Sequence, residues 1–315
     1  MKYCFLLVVL AMNLTAEWQS KEIYTGLRCN TAVAHDYDKD GLCEVIYSIK
    51  DKTILSSLDG KKKKLLTTYN SIHSMLVDVD NDGDLDYVGA SRQQLFWVEC
   101  PKNPWKDKWP FKSISTALFG THALEMADVD KDGYVDVIAG SFQAKGDYPN
   151  SLCWFKNPGK KGTWKPYVLA NKDAFGGLHY FDYFTYKGKA ALIAGAKGGR
   201  FKNGDYFAMW VAEKGIKRPW VKKTLLKNET GATNAMASDL NGDGKIDYIL
   251  ANGHGVGVKV VSGSNKKVIV IDDTAEHPHS LDVGDVDGDG DMDLLTCAYG
   301  SQQVLWYENK GKLVF

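Results

Sequence analysis

The chain has 315 residues, of which 39 are basic and 39 acidic, so its formal net charge is zero. That balance excludes the basic footprint of a nucleic-acid-binding protein. The length and an apolar share of 44% suit one large domain or two small ones with a sizeable core.

In chain order, Met1-Lys2-Tyr3 and the apolar run from Cys4 to Met12 read as a secretory signal sequence with cleavage near Ala16. The run is too short to cross a bilayer as an ordinary helix. Cys4 lies inside it, which argues against a lipid anchor. The expectation is residues 1–16 as signal peptide and 17–315 as one domain, secreted or periplasmic, monomeric and without an integral membrane anchor. Five cysteines remain after cleavage, Cys29, Cys43, Cys100, Cys153 and Cys297, an odd number that cannot pair completely. A Cys29–Cys43 bridge stays open.

An acidic phrase then recurs five times, built like a calcium loop. Positions 1, 3, 5, 7 and 9 are Asp36, Asp38, Asp40, Leu42 and Glu44 in the first copy, and Asp78, Asp80, Asp82, Asp84 and Asp86 in the second. The third has Asp128, Asp130, Asp132, Tyr134 and Asp136; the fourth Asp239, Asn241, Asp243, Lys245 and Asp247; the fifth Asp285, Asp287, Asp289, Asp291 and Asp293. Calcium takes six to eight oxygen ligands. Carboxylates at positions 1, 3 and 5, a backbone carbonyl at 7 and an acid at 9 supply them, and glycine at 6 permits the sharp turn. An EF-hand would need Glu at position 12, where this chain has Tyr47, Gly89, Ala139, Leu250 and Thr296. Short apolar runs follow instead, such as Val45-Ile46-Tyr47 and Tyr248-Ile249-Leu250, and read as strands. Acidic turns that only solubilise a β-protein are the bland alternative.

The copies start at 36, 78, 128, 239 and 285, and the wide gap holds a degenerate copy from Gly177 to Gly195 that lacks the acids. A third strand with an aromatic signature follows in Leu95-Phe-Trp97, Leu152-Cys-Trp154, Ala208-Met-Trp210 and Leu305-Trp306. A fourth follows in Trp164 to Leu169 and Trp220 to Leu226. Four short strands per repeat with periodic aromatics predict an all-β, six-bladed β-propeller, or a seven-bladed one if an atypical blade escapes the count. The calcium loops would lie between the first and second strands of the blades. At a repeated strand position the tryptophans are expected in the core rather than as sugar platforms. The last repeat stops after its third strand, and Glu22-Ile23-Tyr24-Thr25 is expected to supply the missing strand and close the ring.

Asp285 to Asp293 with Leu294-Leu295, then Trp306-Tyr307-Glu308-Asn309, resembles the FG-GAP/VCBS repeat family of integrin propellers and bacterial secreted proteins. The resemblance covers nearly all of residues 17–315. It implies the propeller fold and calcium, and a functional range that includes lectins, adhesion modules and carbohydrate lyases.

Counting back from each loop places His or Asn at one end of every inner strand: Asn30, His73, His122, His179, Asn234 and His279. His122/Glu125, His179/Asp182 and His279/Asp282 repeat an acid three residues on. Strand alternation would put the members of each pair on opposite sides. A polar plug is the structural reading of this ring. The functional reading is a transition metal, zinc or manganese, or a general base. Loops expected at the same end carry Arg92, Lys145, Lys197, Arg200, His254 and Tyr299, a set suited to an anionic poly- or oligosaccharide. Two functions remain open. One is β-elimination on a uronic-acid glycoside, with His122, His179 or His279 as base and Tyr180 or Tyr299 protonating the leaving oxygen; His73, His254, Lys145, Lys197 and the arginines would hold substrate. The other is a non-catalytic glycan- or protein-binding propeller. Carboxylate-driven hydrolysis through Glu125 and Asp282 is a third option.

Overall fold

A computed structural model describes residues 22–311 except 28, 93, 142–144 and 160. The signal-sequence expectation lies outside the described residues. Within them the chain is all-β, and no helix is long and apolar enough to cross a membrane.

Six antiparallel sheets follow one another in chain order. The first is β1 (Cys29–His35), β2 (Glu44–Ile49), β3 (Lys52–Ser56) and β4 (Lys63–Thr67). The second is β5 (His73–Val77), β6 (Asp86–Ala90), β7 (Leu95–Val98) and β8 (Phe111–Ser115). The third is β9 (Leu124–Ala127), β10 (Asp136–Gly140), β11 (Leu152–Lys156) and β12 (Lys165–Ala170). The fourth, holding the degenerate repeat, is β13 (Gly177–Tyr186), β14 (Lys189–Lys197), β15 (Tyr206–Val211) and β16 (Val221–Lys227). The fifth is β17 (Asn234–Ser238), β18 (Asp247–Ala251), β19 (Val256–Val261) and β20 (Val268–Glu276). The sixth has three strands, β21 (Asp282–Gly284), β22 (Asp293–Ala298) and β23 (Gln303–Tyr307). Each sheet is a meander, and the first strands β1, β5, β9, β13 and β17 are successive neighbours. This is a propeller-like arrangement.

Four of the second strands are rich in apolar residues because both of their faces are covered. Every residue of β2, β6, β10 and β18 is buried. The core lies between sheets. Ile138, Trp154 and Leu169 of the third sheet pack with Leu192 and Trp210 of the fourth, and Phe207 and Met209 pack with Tyr248 and Leu250 of the fifth. Trp97, Trp154 and Trp210 are buried as the repeat pattern predicts, whereas Trp306 in the last sheet is exposed.

The acidic connections form tight loops. Their sixth-position glycines, Gly41, Gly83, Gly133, Gly244 and Gly290, have φ of 91°, 96°, 90°, 78° and 96°, a region that a side chain strains. The ninth-position acid is buried in every copy and works as a backbone clamp. Asp86 accepts the N–H of Val79 at 3.1 Å and of Cys100 at 2.8 Å. Asp136 accepts those of Val129 (3.1 Å) and Asn157 (2.7 Å), Asp247 those of Leu240 (3.2 Å) and Gly263 (2.8 Å), and Asp293 those of Val286 (3.1 Å) and Asn309 (2.7 Å). Glu44 accepts the N–H of Tyr37 at 3.0 Å. Asn157 and Asn309 extend the clamp to the preceding sheet by donating to Val79 O (2.8 Å) and Leu240 O (3.0 Å).

Three expectations need correction. Glu22 to Thr25 form no strand; Ile23 and Tyr24 pack on Val45, Tyr47 and Ile49 of the first sheet, where the Tyr24 ring meets Tyr47 at 5.3 Å. That apolar face competes successfully for the segment, so the outer edge of β23 is uncovered among the described residues. Cys29 and Cys43 are free thiols. Strict strand alternation between the histidine and the acid three residues on, the third expectation, does not hold in two of the three pairs. His122 lies before β9 begins, and the register of β13 on β14 shifts between Leu178 and Phe181, so strict alternation is broken at both places.

The clamp generates a test. Asp136→Asn keeps the shape but turns an amide N–H toward one of the two backbone donors. Urea unfolding in excess chelator should show a loss of about 1–3 kcal/mol, the usual cost of a buried donor left unpaired. A midpoint equal to wild type would remove the clamp from the account of stability.

Candidate functional site

The loops and the histidines occupy opposite ends of the inner strands, as the strand directions require. At the loop end, four groups bring carboxylate oxygens within 4.8 Å of one another: Asp36, Asp38 and Asp40; Asp78, Asp80 and Asp86; Asp128, Asp130 and Asp136; Asp285, Asp287 and Asp289. Buried Oδ1 atoms of Asp38, Asp80 and Asp130, all third-position residues, have no hydrogen-bond partner. An orphaned carboxylate oxygen beside two further carboxylates fits a hard cation. Burial pushes Asp86 up to about 7 and Asp136 up to about 6, and raises Asp247 and Asp80, with the neighbouring loop acids adding to each shift. In the third loop Lys156 pairs with Asp130 and Asp132, a counter-ion that the acidic pattern did not signal because it comes from the far end of β11. Asp239, Asn241, Asp243 and the seventh-position residues Leu42, Asp84, Tyr134, Lys245 and Asp291 complete the loops, each with its seventh-position N–H held by the fifth-position carboxylate.

At the other end, five imidazoles converge from different repeats. The His73 and His122 rings lie 6.5 Å apart, His122 and His179 5.6 Å, His179 and His254 4.9 Å, and His254 and His279 4.9 Å. His254 Nε2 stands 3.2 Å from His179 Nε2 and 3.4 Å from His279 Nε2, which makes His254 the hub. His179 Nδ1 faces Gly177 O at 2.9 Å and must donate to it, so the neutral ring turns a lone pair toward His254. Tyr180 Oη reaches His279 Nδ1 at 3.3 Å, and its ring also meets that of His73 at 4.8 Å. Tyr299 is exposed, stacks on His277 at 4.8 Å and meets the edge of His279 at 5.6 Å.

These rings are held neutral. Burial, reinforced by neighbouring imidazoles, lowers His73 to about 3 and His179 to about 2. Burial lowers His122 to about 4, with Arg200, Arg92 and Lys197 adding to the effect. It also lowers His254 to about 4 and His279 below its ordinary value, in both cases with help from Lys197. Arg92, Lys197 and Arg200 therefore form a cationic rim over neutral rings. Asp205 fixes the loop that carries two of them by accepting the N–H of Gly198 (2.8 Å) and of Gly231 (3.0 Å). Lys145 lies over the Phe119 ring, 5.6 Å from its centroid. Deeper between the strands, burial pushes Glu125 up to about 7, with Asp182 adding to the shift, and Asp182 is raised by its own burial. Asp282, paired with Glu125 as a hydrolytic candidate, is exposed.

The model of the FG-GAP-like repeat matches residues 78–139 and 239–296, which include four of the five acidic loops, all but the one that starts at Asp36. No curated protein matches the chain by sequence. Among solved structures, a lectin from Agrocybe aegerita, described as recognising non-reducing terminal N-acetylglucosamine, is similar at 17% identity and a TM-score of 0.54, over 90% of this chain and 81% of that one. A putative 6-phosphogluconolactonase from Bacteroides uniformis is similar at 12% identity and a TM-score of 0.51, over 89% of this chain and 78% of that one. At these identities the likeness is one of fold.

The neutral ring sets a pH dependence. A histidine with folded pKa below its unfolded value contributes stability that is complete above about 6.5 and is lost as pH falls toward the folded value. His179→Gln abolishes that titration. The stability of wild type relative to this variant should therefore shrink between pH 7 and pH 4 in chemical unfolding, and a constant difference would mean that His179 titrates normally.

Proposed function

We propose that the histidine end binds an anionic saccharide and that calcium in the acidic loops stiffens the opposite end of the sheets. The observation that carries the first part is the cationic rim of Arg92, Lys197 and Arg200, which acts on the neutral His122, with Lys197 also reaching His254 and His279. A uronate or sulfate brings the negative charge that this rim lacks, and neutral imidazole N–H groups supply directional donors. The lectin-like fold supports carbohydrate as the ligand class, and an extracellular or periplasmic location follows the signal-like leader.

Binding and catalysis separate on pKa. A general base works best with a pKa near the operating pH, whereas His179 at about 2 and His122 at about 4 are weak bases before ligand arrives. This favours recognition over proton abstraction. β-Elimination is the second reading, favoured by the Tyr180–His279 pair, a hydroxyl and an imidazole already 3.3 Å apart. In that reading His279 takes the α-proton after the ligand's charge has raised its pKa, and Tyr180 or Tyr299 serves the leaving oxygen. Zinc at this end is the companion proposal. Tetrahedral nitrogens at zinc distance sit about 3.3–3.4 Å apart, the spacing His254 keeps from His179 and from His279. The three nitrogens are not grouped within 4.8 Å among the described residues, so one ring must turn to close the set.

Two outcomes test this reading. Titration calorimetry should detect oligouronate but not its neutral counterpart, with affinity rising as pH falls from 8 to 5. The sign follows from linkage: the bound anion raises the imidazole pKa above about 4, so the complex holds more protons than the free partners. Arg200→Ala should weaken binding by about tenfold, or about 1.4 kcal/mol. Equal binding of neutral and acidic sugars would sink the assignment, and absorbance of unsaturated product from polyuronates would move it to the lyase. For the loops, chelator should lower the Tm, and by more at pH 8 than at pH 5. Asp86 and Asp136 have raised pKa values, so the calcium-free fold loses stability as pH climbs through about 4 to 7, and a bound cation offsets the charge that burial penalises. A Tm indifferent to chelator at both pH values rules out calcium.

A further inference from the structure

Next to the histidines, four successive repeats line a half-open cavity of about 240 Å³, in which a few polar groups stand among the apolar Phe181, Ala235, Met236 and Leu281. Glu125 enters it from β9, Tyr180 and Asp182 from β13, Asn234 from the start of β17, and Ser280 from the segment before β21. Glu125 accepts the N–H of Met126 at 2.8 Å through Oε1, and Asp182 accepts that of Ala237 at 2.8 Å through Oδ2. Each carboxylate thus places one oxygen on the backbone and has a second to offer a ligand. Asp182 is the charged neighbour acting on Glu125, so two carboxyl groups share this buried space. The independent sign of a ligand is Asn234. It is 3% exposed and lines the cavity, and neither its Oδ1 nor its Nδ2 has a hydrogen-bond partner.

Buried amides are almost always paired, so an orphaned one calls for an occupant. The donors around it are two carboxylates, an amide oxygen and two hydroxyls. An all-oxygen set with acidic members selects a hard cation; zinc or copper would favour nitrogen or sulfur. The cavity exceeds the share of a single water, about 30 Å³, by several-fold. Room therefore remains for an ion with part of its hydration shell.

We propose that this cavity is a calcium site, held by Glu125, Asp182 and Asn234 with Tyr180 and Ser280 at its margin, separate from the acidic loops. Asn234 turns Oδ1 toward the ion and donates Nδ2 to a water of its shell. The ion ties three inner strands together next to the histidine cluster. Because Tyr180 borders the cavity and also reaches His279, occupancy fixes the floor on which the histidine end stands.

The test is crystallographic and uses the wild-type protein. Crystals equilibrated with manganese as a calcium substitute should give an anomalous peak within bonding distance of Glu125, Asp182 and Asn234. Calcium-loaded crystals should show oxygen contacts of about 2.3–2.6 Å at the same point. Ordered water alone, with hydrogen-bond distances and no anomalous signal, overturns the proposal whatever any variant does. Equilibrium dialysis supplies the second readout: the Glu125→Gln/Asp182→Asn variant should bind one calcium ion fewer than wild type and keep the loop ions. Unchanged stoichiometry in the folded variant also overturns it. The site is independent of saccharide binding, so a channel ion without any sugar affinity would leave it intact.

Discussion

A carboxylate buried at the ninth position of each acidic loop is the interaction on which the rest of the molecule depends. An ionised acid away from water is tolerated only when its oxygens are hydrogen-bonded. In four of the five loops the partners are backbone N–H groups at two points distant in sequence, whereas Glu44 holds only Tyr37 and Asp38. Asp86 joins Val79, before β6, to Cys100, after β7, and Asp136 does the same for Val129 and Asn157. One side chain thereby fixes the entry to the second strand and the exit from the third. Asn157 and Asn309 then carry the linkage to the neighbouring sheet through carbonyls that would otherwise be buried unpaired. The loop acids at positions 1 and 5 hold the turn itself through its backbone N–H groups, and it is the third-position Asp38, Asp80 and Asp130 that keep an oxygen without a partner.

The zero net charge conceals a segregation. Acids gather at the end where the first strands run into the second strands, and Arg92, Lys145, Lys197 and Arg200 lie in loops at the other end. A five-residue strand separates the two by about 17 Å, well beyond a Debye length of about 8 Å in physiological salt. Each end therefore meets its own ligands with little interference through solvent. Between them, burial strips the imidazoles of protons and leaves lone pairs and N–H groups facing a cationic rim.

Much of this was legible in the sequence because it is local and repeated. The five loops, the strands that follow them and the buried Trp97, Trp154 and Trp210 all come from periodic signals. What escaped was non-local. The clamp partners Cys100 and Asn157 lie 14 and 21 residues beyond their aspartates, and Lys156 reaches Asp130 over 26 residues. His254 was placed among binding residues, yet it stands between His179 and His279 because a loop, not a strand, delivers it. Glu125 and Asp182 were set apart from the histidines by an alternation that a late strand start and a bulge undo. The segment holding Ile23 and Tyr24 was read by what the last sheet lacked, when the apolar face of the first sheet was the stronger attractor.

The uneven ends of the stack bear on how it comes apart. In a repeat array, stability approximates a sum over neighbouring units, and a unit with one neighbour is held by half as many interfaces. The sixth sheet packs on the fifth through Leu294 and Tyr307, but no apolar cluster joins it to the first sheet among the described residues. Its outer face leaves Val304 at 71% and Trp306 at 45% exposure. The array should therefore fray from this end like a zipper, with amide exchange fastest along β23 and slowest in the third and fourth sheets, where the largest shared core is held on both sides.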